Sequence, residues 1–382
     1  SAEASAGLRM SKSNESSSEG ETTMKGSTFT SGGNLTRKAQ GTLSDQGSSL
    51  SAEGNIEQSA QRIVEERAEN TKFSSSSSDS IDGRIGVSAG ASAGASGGAT
   101  GGDAGAGTSV GMKAKLDESA SKESSKESTQ QVTTYKAGGK IKSTSKEETK
   151  LLGTQMKAGQ GVEISGGSVD IQAARDTSTS TKTEHSNSGE LKVGTGGLDA
   201  AYKHGEKGNG AESNTAKGAS IDAGQGGLVI RATTGNVNLE GSELSGASAS
   251  IKADKGAVNL KAAESTEKKS NMEANVDASL SASKNGKEKS GSIGLSADYA
   301  NSKSSKATQQ GVKINTTGDT RIEAAKDVTL QGTSIDAGGN VGIQSTEGKV
   351  KTEAVRNTES SSAVGASIDL NVGGSSDGCL LY

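Results

Sequence analysis

Apolar residues in this chain come as pairs two positions apart, as in Leu228/Ile230, Val237/Leu239, Ala249/Ile251 and Val258/Leu260, with a single Leu244 among them. The same steps recur later as Ile322, Val328/Leu330, Ile335, Val341/Ile343 and Val350. A period of two means a strand with one buried face, and the segments are too short for helices. Gly, Asn and Asp in "TTGN", "DAGGN" and "ADKG" supply the turns between them. The spacing predicts about three strands per coil and roughly 20 to 22 residues per coil.

The pattern repeats over a longer range. A glycine followed three residues later by an apolar residue recurs as "QGSSL", "LGTQM", "EGSEL" and "QGTSI", anchored on Gly47, Gly153, Gly241 and Gly332. After each anchor comes a short polar signal, "AENT", "ARDT", "AEST" or "VRNT", ending at Thr71, Thr177, Thr266 and Thr358. These marks divide the chain into repeats at 27–71, 131–177, 219–266 and 312–358. Insertions fill 72–130, 178–218 and 267–311, and 1–26 and 359–382 belong to flanking insertions.

One coil cannot bury its inward residues alone. Stacking coil on coil at about 4.8 Å pairs every strand and makes a continuous narrow core. The expected fold is all-β, a right-handed parallel β-helix (solenoid) with Ser/Gly-rich, partly disordered or hairpin insertions. Regular spacing and a matched ladder of repeats favour it over an antiparallel hairpin array. The insertions are expected to be less ordered than the coils and to carry most of the Lys/Glu charge. "SAGASAGASGGATGGDAGAG" (88–107) is low in complexity, whereas the stretch around Lys284-Asn285-Gly286-Lys287 reads as a hairpin, with Leu280 and Ala282 facing Ile293 and Leu295.

Composition sharpens this picture. Leu, Ile, Val and Phe together make about 14% of the chain, below the roughly 20% under which disorder is the default. Yet there are no prolines, 55 glycines and a formal net charge of only -4, which is not the signature of disorder. The 42 basic and 46 acidic residues are interspersed, so no basic face for nucleic acid is expected. Aromatics are at 2%, leaving Tyr135, Tyr202 and Tyr299 as the only candidates for base or sugar stacking. The single Cys379 excludes an internal disulfide. No apolar run approaches the ~18 residues of a membrane-spanning helix.

Motifs that could carry chemistry are weak. Ser119-Ala120-Ser121-Lys122 and Ser143-Thr144-Ser145-Lys146 match a Ser-x-x-Lys pattern, as chance allows in a Ser/Lys-rich chain. His185 and His204, near Glu184 and Glu206, are the only histidines, and a metal site would need a third ligand on a rigid element. "GGDAGAG" (101–107) places Asp103 wrongly for a calcium-binding nonapeptide and does not recur. No phosphate-binding glycine loop is present, and the terminal "CLLY" is a poor prenylation box. No catalytic, cofactor or metal residue is assigned.

The four blocks "SGGNLTRKAQGTLSDQGSSLSAEGNI", "AGGKIKSTSKEETKLLGTQMKAGQGVEI", "AGQGGLVIRATTGNVNLEGSELSGASASI" and "TTGDTRIEAAKDVTLQGTSIDAGGNVGI" resemble the haemagglutinin repeats of filamentous-haemagglutinin-type exoproteins. The junction signals and Ser/Gly-rich insertions are also similar to the second repeat region of contact-dependent growth inhibition exoproteins. The resemblance spans roughly residues 5 to 374. It implies a bacterial two-partner secretion substrate, exported through an outer-membrane transporter by way of an N-terminal region not in this sequence. The stretch is expected to be an internal piece.

The resemblance implies a secreted, surface-associated adhesive shaft that meets a host or neighbouring bacterial cell. In growth-inhibition members the comparable region is implicated in delivering a toxin at a target outer membrane, which is the alternative role; it would use the weakly amphipathic, Gly-rich hairpins of the insertions, whose outward residues are too polar for stable insertion without assembly. A polysaccharide-processing β-helix enzyme is a third, and it would need a carboxylate or basic cluster along one groove.

Overall fold

The computed structural model describes residues 2–95 and 104–376, and among these all regular structure is β-strand. Short strands of three to six residues fall into three parallel eight-stranded sheets. Consecutive strands such as Lys313–Thr316, Thr320–Ala324 and Val328–Gln331 each belong to a different sheet. The next strand, Ser334–Ala337, then pairs with the first of the three, so the chain coils with three strands per turn.

Inward positions stack in rows. In one row Leu50, Tyr135, Met156, Ile221, Leu244 and Ile314 follow one another strand by strand. In another, Ile164, Ile230, Ile251 and Ile322 do the same, all fully buried. This row geometry explains how so few large apolar residues suffice: each is covered above and below by its counterpart in the adjoining coils. Val341 and Val350, read from sequence as inward, are half-exposed because the last coil is covered on one side only.

The corners are held by a ladder of side-chain amides and carboxylates. Asn34 Oδ1 accepts from Asn55 N–H (2.8 Å), 21 residues on, and Asn55 Oδ1 accepts from Lys140 N–H (2.8 Å). Asn236 serves Ala257 N–H (2.9 Å) and Asp319 serves Asn340 N–H (2.7 Å), each again 21 residues apart. Asn34 of "SGGN" and Asn236 of "TTGN" thus accept from the adjoining coil, whereas Asn340 of "DAGGN" donates to Asp319, and the 21-residue spacing is the length of one coil.

The segments read as loosely ordered insertions are different from that expectation. They run as long strands in a fourth, antiparallel sheet of eight: Ala2–Thr22, Glu69–Ala95, Ala104–Gln130, Ala174–Gly194, Gly197–Lys217, Ala263–Asn285, Glu288–Gln310 and Thr358–Ser376. One hairpin leaves after every second coil. Two coils advance about 9.6 Å and two sheet strands occupy the same width, so coil stack and sheet grow in step. Only this commensurate spacing lets successive hairpins pair with one another.

Near the coils the sheet is held by cross-strand hydroxyl pairs, among them Ser16–Ser77, Ser74–Ser125 and Ser124–Thr181, each at 2.8 Å. Of the hairpin read at Asn285-Gly286, Leu280 does face Ile293. Ala282, however, faces Gly291, and Leu295 faces Ala278, because the turn closes between Asn285 and Glu288 with Gly286 at φ 62°. The 88–107 stretch lies partly outside the described residues, as do Asp103 and Cys379.

Candidate interaction face

Alternation along the outer parts of the long strands makes their sheet two-sided. Leu8, Ile85, Ala114, Leu191, Ala200, Leu280, Ile293 and Val372 lie side by side across all eight strands. Two residues along, Met10, Gly83, Leu116, Gly189, Tyr202, Ala278, Leu295 and Leu370 form a second row. A third, on the other side of the first, runs through Ala6, Val87, Met112, Val193, Leu198, Ala282, Gly291 and Gly374. Apart from the Tyr202 hydroxyl, no side chain in these three rows is polar. Yet Leu8 is 70% exposed, Ile85 56% and Val372 61%.

The intervening residues point to the opposite face and carry the charge. Asp82 lies between Arg9 (2.6 Å) and Arg84 (2.7 Å), and Glu190 between Lys113 (2.6 Å) and Lys192 (3.1 Å). Hydrogen bonds from Arg84 and Arg9 hold the Asp82 carboxyl below the usual range, and those from Lys113 and Lys192 do the same for Glu190. One face thus carries the charges in ion pairs, and the other is a broad exposed apolar surface. Patches of this size on soluble proteins mark contact sites.

The sequence-level candidates fare unevenly. Ser119 and Lys122 lie on one strand at an odd spacing, so they face opposite sides, and Ser119 Oγ pairs instead with Ser80 Oγ (2.8 Å). Ser143 points into the core, where Gln58 Nε2 donates to it (3.0 Å), while Lys146 is exposed. Neither Ser-x-x-Lys match forms a dyad. His185 and His204 are brought together on neighbouring strands, ring centroids 4.9 Å apart, with Asn187 hydrogen-bonded to both. Glu184 pairs with Lys182 (2.6 Å), Glu206 lies opposite His185, and among the described residues no third ligand completes a metal cluster.

Tyr135, read as a stacking candidate, is buried and belongs to a polar cluster inside the first coils. Arg37 donates to both oxygens of Asp45 (2.8 and 2.6 Å) and to Gln58. The Tyr135 hydroxyl lies 3.3 Å from Asp45 Oδ2 and 3.2 Å from Glu65 Oε1, bridging the two carboxyl groups. Glu65 also accepts from Leu152 N–H (3.0 Å) and from the Thr154 hydroxyl. Burial pushes the Glu65 carboxyl up to about 8, and it raises Tyr135 well above the ordinary phenol range. Asp45 and Glu65 stack on successive coils, but they point into the core, out of reach of a saccharide.

Sequence reading shows the hairpins only as weakly amphipathic, and it missed both the continuity of the apolar face and this cluster. The face had a signal: "GLRM", "GRIGV", "VGMKAKL", "GELKV", "SIGL" and "IDLNV" all alternate with period two, and every insertion holds at least one of them. The cluster had none, since its members occupy inward slots that a search for apolar alternation skips.

A family model described as the hemagglutinin repeat matches residues 8–186, 112–215 and 200–368. No curated protein and no solved structure matches the chain. With stacked coils, a fourfold anchor and a family match running from residue 8 to residue 368, the chain belongs to the hemagglutinin-repeat family.

Proposed function

We propose that this chain is a shaft segment of a secreted bacterial exoprotein of the filamentous-haemagglutinin type, wound as a right-handed β-helix. Its role is adhesive rather than enzymatic, and its partners are the surface of a host or neighbouring bacterial cell and, through the parent protein, an outer-membrane secretion transporter. Each stretch 27–71, 131–177, 219–266 and 312–358 acts as one repeat and each insertion as one hairpin of the contact sheet. The observation that supports this reading is the apolar face: three rows across eight strands, exposed and backed by an ion-paired face. A delivery role at a target outer membrane would draw on the same face.

The test is cell binding by the full exoprotein carrying Ile85→Lys, Leu191→Lys and Ile293→Lys. Adhesion is expected to fall at least tenfold, with the β-sheet circular dichroism unchanged. Undiminished adhesion would remove the face from the contact.

A further inference from the structure

We infer that the partner of the apolar face is a second copy of this chain, packed sheet against sheet about a two-fold axis. The inference rests on the reading of that face as the contact surface and names what covers it: a copy displayed by the neighbouring cell, so that self-association is the contact itself.

Relief is the first argument. In the row Met10–Gly83–Leu116–Gly189–Tyr202 large side chains alternate with glycine across the strands. A Cβ at Gly189 would meet nothing within 4 Å, and one at Gly83 only Leu116 Cδ1 and the Met10 carbonyl, both at 3.8 Å. Along this row the surface is a series of ridges and notches. Ridges seat in notches one after another only if the partner repeats at the same strand pitch, about 4.8 Å. A second copy has that pitch by identity. Two such faces interdigitate as sheets do when packed about 10 Å apart.

Area is the second argument. Eight strands at about 4.8 Å by three rows at about 6.8 Å give a face of roughly 800 Å², close to what each partner contributes to a standard stable interface. An isologous pair buries the same patch on both members and leaves no apolar remainder.

Chemistry is the third. The chain has no tryptophan, and aromatics make up 2% of it, whereas sheets that meet lipid are bordered by girdles of aromatic residues. The reverse face, with Asp82 between two arginines and Glu190 between two lysines, must stay in water. A protein partner on one side satisfies both faces.

The experiment uses the full chain in sedimentation equilibrium over a concentration series, with Ala278→Cys on the apolar face and Ser279→Cys on the reverse face, each combined with Cys379→Ser, as cross-linking reporters. Dimer is expected, weakened at least tenfold by Ile85→Lys and by the notch-filling Gly189→Leu, with oxidative cross-linking through position 278 and not 279. A chain that stays monomeric, or a dimer indifferent to both substitutions, overturns the inference. So does monomeric chain that binds vesicles of phosphatidylethanolamine, phosphatidylglycerol and lipopolysaccharide through this face, which would assign it to a bilayer. The contact reading fails separately, when Ile85→Lys leaves cell adhesion intact.

Discussion

Gly153 and Ala174 touch one coil apart: a Cβ on Gly153 would lie 2.6 Å from the Ala174 Cβ, and Gly153 has φ +59°. The other three anchors behave alike. Gly47, Gly241 and Gly332 have φ 61°, 56° and 59°, and a Cβ on each would meet Ala68 at 2.9 Å, Ala263 at 2.5 Å or Val355 at 2.7 Å. The anchor and the first residue of each junction signal are thus two halves of one contact, made where the chain leaves the coil for the sheet.

Gly153→Ala should therefore loosen the root of the Ala174–Lys217 hairpin. A left-handed φ and a contact below 3 Å act together, at an expected cost of about 2 kcal/mol. Hydrogen exchange across 174–217 is the measurement, and exchange should quicken there before it does in the coils. Ala174→Gly in the same chain should recover part of the loss by clearing the clash while leaving the backbone strain. No change in exchange would mean the root yields without cost.

The third residue of each junction signal closes a seam between hairpins. Asp176 Oδ1 accepts from Gln130 N–H (2.8 Å), Asn70 Oδ1 from Met24 N–H (2.7 Å), Ser265 Oγ from Ala216 N–H (2.9 Å) and Asn357 Oδ1 from Gln309 N–H (2.7 Å). Asp176→Ala should cost about 1 kcal/mol, the usual worth of such a bond. The Gln130 amide should exchange several-fold faster, and Asp176→Asn should restore protection because asparagine fills this position in two other repeats. Failure of asparagine to rescue would show that charge, not the acceptor, matters here.

Coil length, turn residues and these junction marks were legible because each repeats in one stretch of sequence and each has a local physical cause. The antiparallel sheet with its apolar face was not. Leu8, Ile85, Leu191 and Ile293 become one row only after strands far apart in sequence pair, and serine, lysine and glycine dilute the alternation within any one strand. Arg37, Asp45, Gln58 and Glu65 were hidden for another reason. Each fills a slot that holds an isoleucine or leucine further along the stack, as Glu65 on Ile63–Glu65 corresponds to Ile171 on Val169–Ile171 and Leu239 on Val237–Leu239. Mutual pairing inside the core makes the polar residues acceptable there, and pairing cannot be read from spacing.

Glu65 gives the first coils a pH dependence of definite sign. Its folded pKa of about 8 lies above the ordinary glutamate value, so between roughly pH 4.5 and pH 8 the folded state holds a proton that the unfolded chain releases. The stability this group contributes is present at acid pH and is lost as pH rises through that window, by about 1.4 kcal/mol per unit at the steepest. Denaturant titrations at pH 5, 6.5 and 8 should show the fall. Glu65→Gln keeps an acceptor for Leu152 N–H and Thr154 and should flatten the profile, leaving the variant more stable than the parent at pH 8. Parallel profiles for parent and variant would exclude the carboxyl as the cause.

Ile230 and Val229 are chain neighbours with opposite fates, and they test the coil register directly. Ile230 is fully buried between Ile164 of one adjoining coil and Ile251 of the other, while Val229 points outward and is 37% exposed. Ile230→Ala removes a side chain covered on both sides and should cost about 2–5 kcal/mol, the range for large-to-small changes in packed cores. Val229→Ala should fall within about 0.5 kcal/mol of the parent, as outward substitutions do. Because each coil touches only its neighbours, the loss at Ile230 should be read in hydrogen exchange over 162–166 and 248–253 as well as at its own strand, and should fade beyond them. A one-residue slip in register would exchange the two outcomes, so equal or reversed costs would refute the stacked rows on which both the core and the antiparallel sheet depend.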